Sequence, residues 1–286
     1  MLTLIIASIG HAAWDNILHW MVKEDPDASL IHMHGVRMFI VSIVLSIVNR
    51  EQPSPHTIYW WLKFSMVGWV VPALSYSICV LLSGYRIAIS LQPLIPLFVA
   101  LNTRQMLIGK KLVALNLALL GTLAIWLIAP WTHCEIQLWQ IWGSLCFGII
   151  QVIATVIWFS MLEEEMVDNR KILPIFTRGV QISFALLLLL SIVCTPQHLN
   201  IIYINRWDNW FGLIVASAVT MVCKLYVIAQ CTHQMPIDAV AIFECLHPVA
   251  TLCCDIVLQN ETFEYDDSIA IILLSLGWIL YPKTNT

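Results

Sequence analysis

The sequence predicts an all-α membrane protein of about ten spanning helices, arranged as two inverted five-helix repeats over residues 1–130 and 131–286. Three observations predict it. Apolar stretches long enough to cross a bilayer recur from one end of the chain to the other. Charged residues make up 11% of the chain, where a soluble domain carries about 25%. The fourth and ninth stretches each carry a proline at the same depth, Pro96 and Pro248, followed by a short polar turn and a final apolar helix.

A bilayer core takes about 20 helical residues. By length and polarity the spans fall near 2–22, 29–48, 58–81, 84–106, 111–130, 138–161, 172–194, 208–230, 236–258 and 266–282. The first carries His11, Asp15 and His19 at steps of four, on one helical face with Trp14 beside it. A charge in hydrocarbon costs at least ~2.5–3.5 kcal/mol, so it normally faces the bundle interior or a water-filled cavity. The rest of the chain is expected to enclose a cavity lined by this face. The second span contributes Arg37, early in the helix, as a structural or gating cation. The third contributes Tyr76, which with Trp14 can stack on a ring or a cation. Pro96 removes a backbone donor in the fourth. Arg86 starts that span and Arg104 ends it. Arg178, a third of the way into the seventh, needs a partner. Lys224 lies near the middle of the eighth, where a lysine must be paired or hydrated. The ninth places Glu244, His247, Thr251 and Asp255 on roughly one face, around Pro248. A carbonyl freed beside a cavity is how transporters often build a site. Gly121 and Gly277 sit inside the fifth and tenth.

The longest polar stretches, expected as connections, are Asn49–His56, Glu163–Lys171 and Thr195–Asp208. Loop lysines and arginines orient the chain. With both termini cytoplasmic, Arg50, Lys110, Lys111, Arg170, Lys171 and Lys283 fall inside, and Lys23 and Arg206 outside. Trp60, Trp61, Trp131, Trp207 and Trp210 lie near span ends and read as an interfacial aromatic belt.

Other classes find little support. The net charge of −4 and the lack of a long basic run argue against nucleic acid. No basic leader precedes the first stretch, so no cleaved signal is expected. Cys79, Cys146, Cys223, Cys245, Cys253 and Cys254 lie in apolar segments and read as core residues, without a zinc or disulfide spacing. No HExxH or GxSxG is present, so the chain is not expected to be an enzyme. No cofactor is expected.

Four motifs carry a family resemblance. They are GHAAWDNILHWMVKEDPD (Gly10–Asp27), HGVRMFIVSIVL (His34–Leu45), PLIPLFVALNTRQMLIGKK ending at Lys111, and HPVATLCCDIVLQNETF ending at Phe263. In this order they resemble the drug/metabolite transporter superfamily, in its EamA-like branch. Asp15 stands where the family's first helix usually has Asn. Asn260-Glu261 replaces the common Gly-Glu, and Gly109-Lys110 lacks the acid. The Asp15-Asn16 pair and the Ile95-Pro96-Leu97-Phe98 run are similar to the bacterial S-adenosylmethionine uptake branch.

The resemblance implies a multi-pass protein of the bacterial inner membrane that moves a small metabolite by alternating access. The expected cargo is a small polar or zwitterionic organic solute, such as an amino acid or a charged nucleoside. A proton or a counter-substrate would couple to it. The expected contacts are His11, Trp14, Asp15, His19, Tyr76, Lys224, Glu244 and His247. Each has a structural alternative: Asp15 can pair with Arg37, and the histidines can serve as packing groups. A transition-metal carrier is the competing reading, through His11, His19, His32, Met33, His34 and His247. Monomer and homodimer are both open.

Overall fold

The computed structural model describes residues 2–24, 30–51, 55–83, 85–103, 109–133, 137–167, 171–194, 207–258 and 265–282. The side chains of residues 15–24, 30, 85–86, 126–133, 194, 207–210, 254–258 and 265–266 lie outside that description. Among the described residues the regular structure is helical throughout.

The helices are α1 (Leu2–Glu24), α2 (Leu30–Val48), α3 (Ile58–Ser65), α4 (Val71–Ser83), α5 (Tyr85–Ser90), α6 (Ile95–Asn102), α7 (Lys110–His133), α8 (Leu138–Val167), α9 (Ile172–Cys194), α10 (Trp207–Cys231), α11 (Ile237–Ala241), α12 (Leu246–Leu258) and α13 (Tyr265–Leu280). A π-helical turn, Met66–Val70, joins α3 to α4 without a break. The 3-10 turn Gln92–Leu94 links α5 to α6, and Ile242–Cys245 links α11 to α12.

Among the described residues, five helices are long and apolar enough to cross a membrane: Ile31–Val48, Ile58–Ser83, Leu138–Val167, Ile172–Val193 and Phe211–Cys231. Three more apolar helical stretches, Leu2–Trp14, Ile87–Asn102 and Asp267–Leu280, are shorter within the described residues. Large apolar side chains such as Ile47, Ile153, Leu189 and Ile272 point outward, as suits a lipid-facing surface. Together these features indicate a polytopic membrane protein.

Three sequence expectations change. Glu163–Val167 is the last turn of α8, not the start of a connection. Glu and Met are good helix formers, and buried Glu165 bonds His56 at 3.1 Å. Three of the cysteines expected in the core, Cys146, Cys223 and Cys253, are exposed, while Cys79 and Cys245 are buried. The aromatic belt also thins: Trp61 is buried, and Trp60 stacks on His56 at 3.9 Å. Trp131, Trp207 and Trp210 lie outside the described side chains.

The packing is pairwise. α7 lies along α13, α4 along α8, α2 along α9, and α1 along both α10 and α12. Lesser contacts join α2 to α10, α3 to α9, α6 to α8, α5 to α7 and α12 to α13. Small residues set the closest approach, as membrane helices require. A Cβ on Gly277 would lie 2.8 Å from the Ala114 carbonyl oxygen and 3.1 Å from the Ala118 nitrogen. Backbone cannot yield there. Gly277→Val is therefore expected to destabilise by about 1–3 kcal/mol. Gly35→Ala, with nothing within 4 Å of the added carbon, leaves stability unchanged or slightly higher. Melting of the two purified variants reads the contrast.

Polar contacts gather at the end of the bundle where α2, α8 and α13 finish and α3, α7, α9 and α11 begin. Lys171 pairs with Glu51 at 2.6 Å and Lys111 with Asp238 at 2.8 Å. Asn49 donates to Thr177 Oγ1 at 3.3 Å. The Tyr281 hydroxyl also donates to Asp238, which is fully buried. One buried carboxylate thus ties α7, α11 and the chain after α13 together.

Candidate functional site

At mid-depth the helices leave a partly enclosed cavity, about 900 Å³ of empty space counting its mouth. Its wall draws on α1, α2, the α3–α4 span, the two 3-10 turns, α6, α8, α10 and α12.

The two interrupted helices explain how polar groups reach it. In an unbroken helix the N–H of residue 96 would bond the carbonyl of residue 92, and that of 248 the carbonyl of 244. Both positions are proline, so neither donor exists. The chain tightens into 3-10 turns instead. The Ile95 N–H bonds the Gln92 carbonyl, and the Leu246 N–H bonds into the Phe243–Glu244 turn. Gln92 and Glu244, each four residues before its proline, both line the cavity.

The charged groups are arranged in pairs. Lys224 Nζ donates to Glu244 Oε1 at 3.0 Å, with both side chains about seven-eighths buried. Arg37 is buried, and its Nη2 donates to His11 Nδ1 at 2.8 Å. Arginine has no acceptor, so this imidazole offers its Nδ1 lone pair to the contact. The His247 ring meets His11 edge-on at 6.2 Å between centroids and Tyr76 at 6.4 Å. These three rings join α1, α4 and α12.

An aromatic and neutral polar wall faces them. Trp69 and Trp158 meet edge to face at 5.7 Å, and Gln151 and Thr155 lie about two turns and one turn before Trp158 on α8. The π turn brings Gly68 against this wall. A Cβ on Gly68 would lie 2.6 Å from the Trp158 indole. π turns concentrate at functional sites. Gln92 Oε1 and Trp158 Nε1 are buried and meet no hydrogen-bond partner among the described residues. Unpaired buried polar atoms are costly, so this acceptor and this donor are set out for a bound molecule or water.

The cavity therefore brings together His11, Tyr76, Lys224, Glu244 and His247 of the residues singled out from the sequence. Arg37, read there as structural or gating, also lines it. Trp14 is half-buried and outside the lining. Pro96 and Pro248 are buried beside the turns they create. The backbone of Asp15 and His19 is helical, but their side chains lie outside the description, as do those of Arg86 and Asp255; Arg104 lies outside it altogether. Sequence reading passed over Gln92, Trp69, Trp158, Gln151 and His34 as lining residues. A signal for Gln92 was present: it precedes Pro96 by the same four residues that separate Glu244 from Pro248.

No family model matches the sequence, and no curated protein matches it. One solved structure, described only as "Crystal structure of protein", superposes with a TM-score of 0.69 at 11% identity. The match covers 98% of this chain and 97% of that one. At this identity the likeness is one of fold, over the whole length of both chains.

Proposed function

We propose that the chain is a secondary transporter for a small polar or zwitterionic organic solute, working by alternating access. The observation that carries this reading is the pair of proline-broken helices meeting at one cavity, with Gln92 and Glu244 at matching offsets on its wall. Broken helices at a midplane site are the way such carriers present freed backbone and polar side chains to cargo.

The architecture proposed is ten spans in two inverted repeats of the drug/metabolite transporter type. The exchange of packing partners supports it. Take α1 as equivalent to α8, α2 to α9, α3–α4 to α10, α5–α6 to α11–α12, and α7 to α13. Then α4 on α8 becomes α10 on α1, and α3 on α9 becomes α10 on α2. Likewise α6 on α8 becomes α12 on α1, and the turn between α5 and α6 on α7 becomes the turn between α11 and α12 on α13. All of these contacts occur. The pairs α2–α9 and α7–α13 map onto themselves. We place both termini in the cytoplasm of a bacterial cell, with the bundle in its inner membrane.

The charge pattern supports a zwitterion as cargo. Lys224 and Glu244 are one cation and one anion held 3.0 Å apart, and a solute bearing both charges can part them without leaving either uncompensated.

Thermal-shift screening of the purified protein tests the reading. The panel holds amino acids, S-adenosylmethionine and relatives, nucleotide sugars, choline, polyamines and divalent metals. A ligand specific to the folded state at 100 times its Kd stabilises by about 2.7 kcal/mol. The expected result is a rise with a zwitterionic organic solute. A rise with transition metals alone would replace this reading with the metal carrier. Among the described residues, no group of three or more His, Cys, Asp and Glu is placed to hold a metal ion.

A further inference from the structure

The outer surface carries a charge that the cavity does not use. On α9 the residues facing outward among the described side chains are Arg178, then Ala185, Leu188, Leu189, Ile192 and Val193. Arg178 crowns an otherwise apolar column. It lies six residues after Ile172, so about 9 Å along the helix from its start. Exposed Lys171 marks the watery end. A guanidinium at this depth is at the edge of the hydrocarbon, where it reaches back to the headgroup layer.

Among the described residues its hydrogen-bond neighbours are neutral. Arg178 Nη1 donates to Gln181 Oε1 at 3.3 Å, and Gln181 Nε2 donates to Ser46 Oγ at 3.0 Å. This polar bridge crosses the outer groove between α9 and α2. Glu51, an acid at this end, is held by Lys171 at 2.6 Å. Below the bridge the groove is apolar: Ile43 on one side, Ala185 and Leu189 on the other. Its floor includes the contact of Phe39 with Phe184, 5.1 Å between rings.

We propose that this groove binds an anionic phospholipid, with its phosphate on Arg178 and its acyl chains along the α2–α9 seam. The guanidinium fork matches two phosphate oxygens, which a lysine cannot do. Basic sites between membrane helices take acidic headgroups in this way. A zwitterionic headgroup would bring its own ammonium to the same point, whereas an anionic one leaves its phosphate charge for Arg178. The lipid bridges the two helices from outside and so reinforces their packing.

The test uses the full chain, purified in detergent and stripped of lipid. Its melting temperature is read with added phosphatidylglycerol, phosphatidylcholine of the same chains, diacylglycerol, or glycerol phosphate. Phosphatidylglycerol is expected to raise it most. Diacylglycerol and glycerol phosphate are expected to leave it unchanged. R178Q is expected to lose the excess rise of phosphatidylglycerol over phosphatidylcholine, and R178K to keep less than half of it. The proposal is overturned if R178Q and R178K respond as the wild type does. It is also overturned if phosphatidylcholine or diacylglycerol equals phosphatidylglycerol, or if glycerol phosphate alone reproduces the rise. Should R178Q not fold, R178K decides by the same criterion.

Discussion

Lys224→Met is expected to destabilise the protein by about 3–5 kcal/mol and to remove stabilisation by the cargo. The reason lies in what the substitution leaves behind. Glu244 would remain seven-eighths buried in the cavity wall with its charge uncompensated. Removing one member of a buried ion pair costs far more than removing both. Glu244→Gln is expected to have a similar effect from the other side. The double variant Lys224→Met/Glu244→Gln should recover most of the lost stability, because no lone charge remains. It should not recover cargo binding, since neither pole of a zwitterion then has a partner. A double-mutant cycle in melting and in ligand shift separates the two roles. If the double variant binds cargo as the wild type does, the pair is only a structural tie.

The second large effect is expected at Asp238. This side chain is fully buried, accepts from Tyr281, and pairs with Lys111 at 2.8 Å. Asp238→Asn keeps the shape and deletes the charge, so the buried ion pair with Lys111 is lost. The expected loss is about 3 kcal/mol or more. The network also closes one end of the bundle by tying α11 to α7 and to the chain after α13. Untied, that end should open more often. Cys245 is fully buried and lies in the turn between Asp238 and the cavity. In a variant with the other cysteines replaced, its maleimide labelling should quicken several-fold on Asp238→Asn. Unchanged labelling beside lowered stability would make the cluster structural cement and not a latch.

Much of this arrangement could be read from the sequence, for identifiable reasons. Long apolar runs announce their helices, so most of the expected segments coincide with observed helices, five of which are long and apolar enough among the described residues to cross a membrane. Prolines announce breaks, so Pro96 and Pro248 marked the two interrupted helices. Isolated charges in apolar surroundings announce an interior, so Lys224 and Glu244 stood out. What escaped were neutral side chains. Trp158 and Gln151 carry no electrostatic penalty that betrays them, and only the crossing of α8 with α4 and α6 brings them to the cavity. Glu163 to Glu165 misled in the opposite direction. Three acids in a row look like a loop, yet helix propensity and the His56 contact hold them in α8. The π turn left no signature in residue spacing at all.

That turn has a consequence for how the cavity can change over time. The Val71 N–H reaches back five residues to the Met66 carbonyl, where an α-helix reaches back four. The span from Ile58 to Ser83 therefore carries one residue beyond its natural phase. Such a surplus can be discharged. Deleting a residue between Met66 and Val70 would convert the turn to ordinary α-helix and keep both flanks close to their present facing. Deletion elsewhere in the span would put a whole packed face out of register with no slack to absorb it. Trp69 and its neighbours are thus open to revision by the loss of a single residue, a larger step in cavity shape than any one substitution offers.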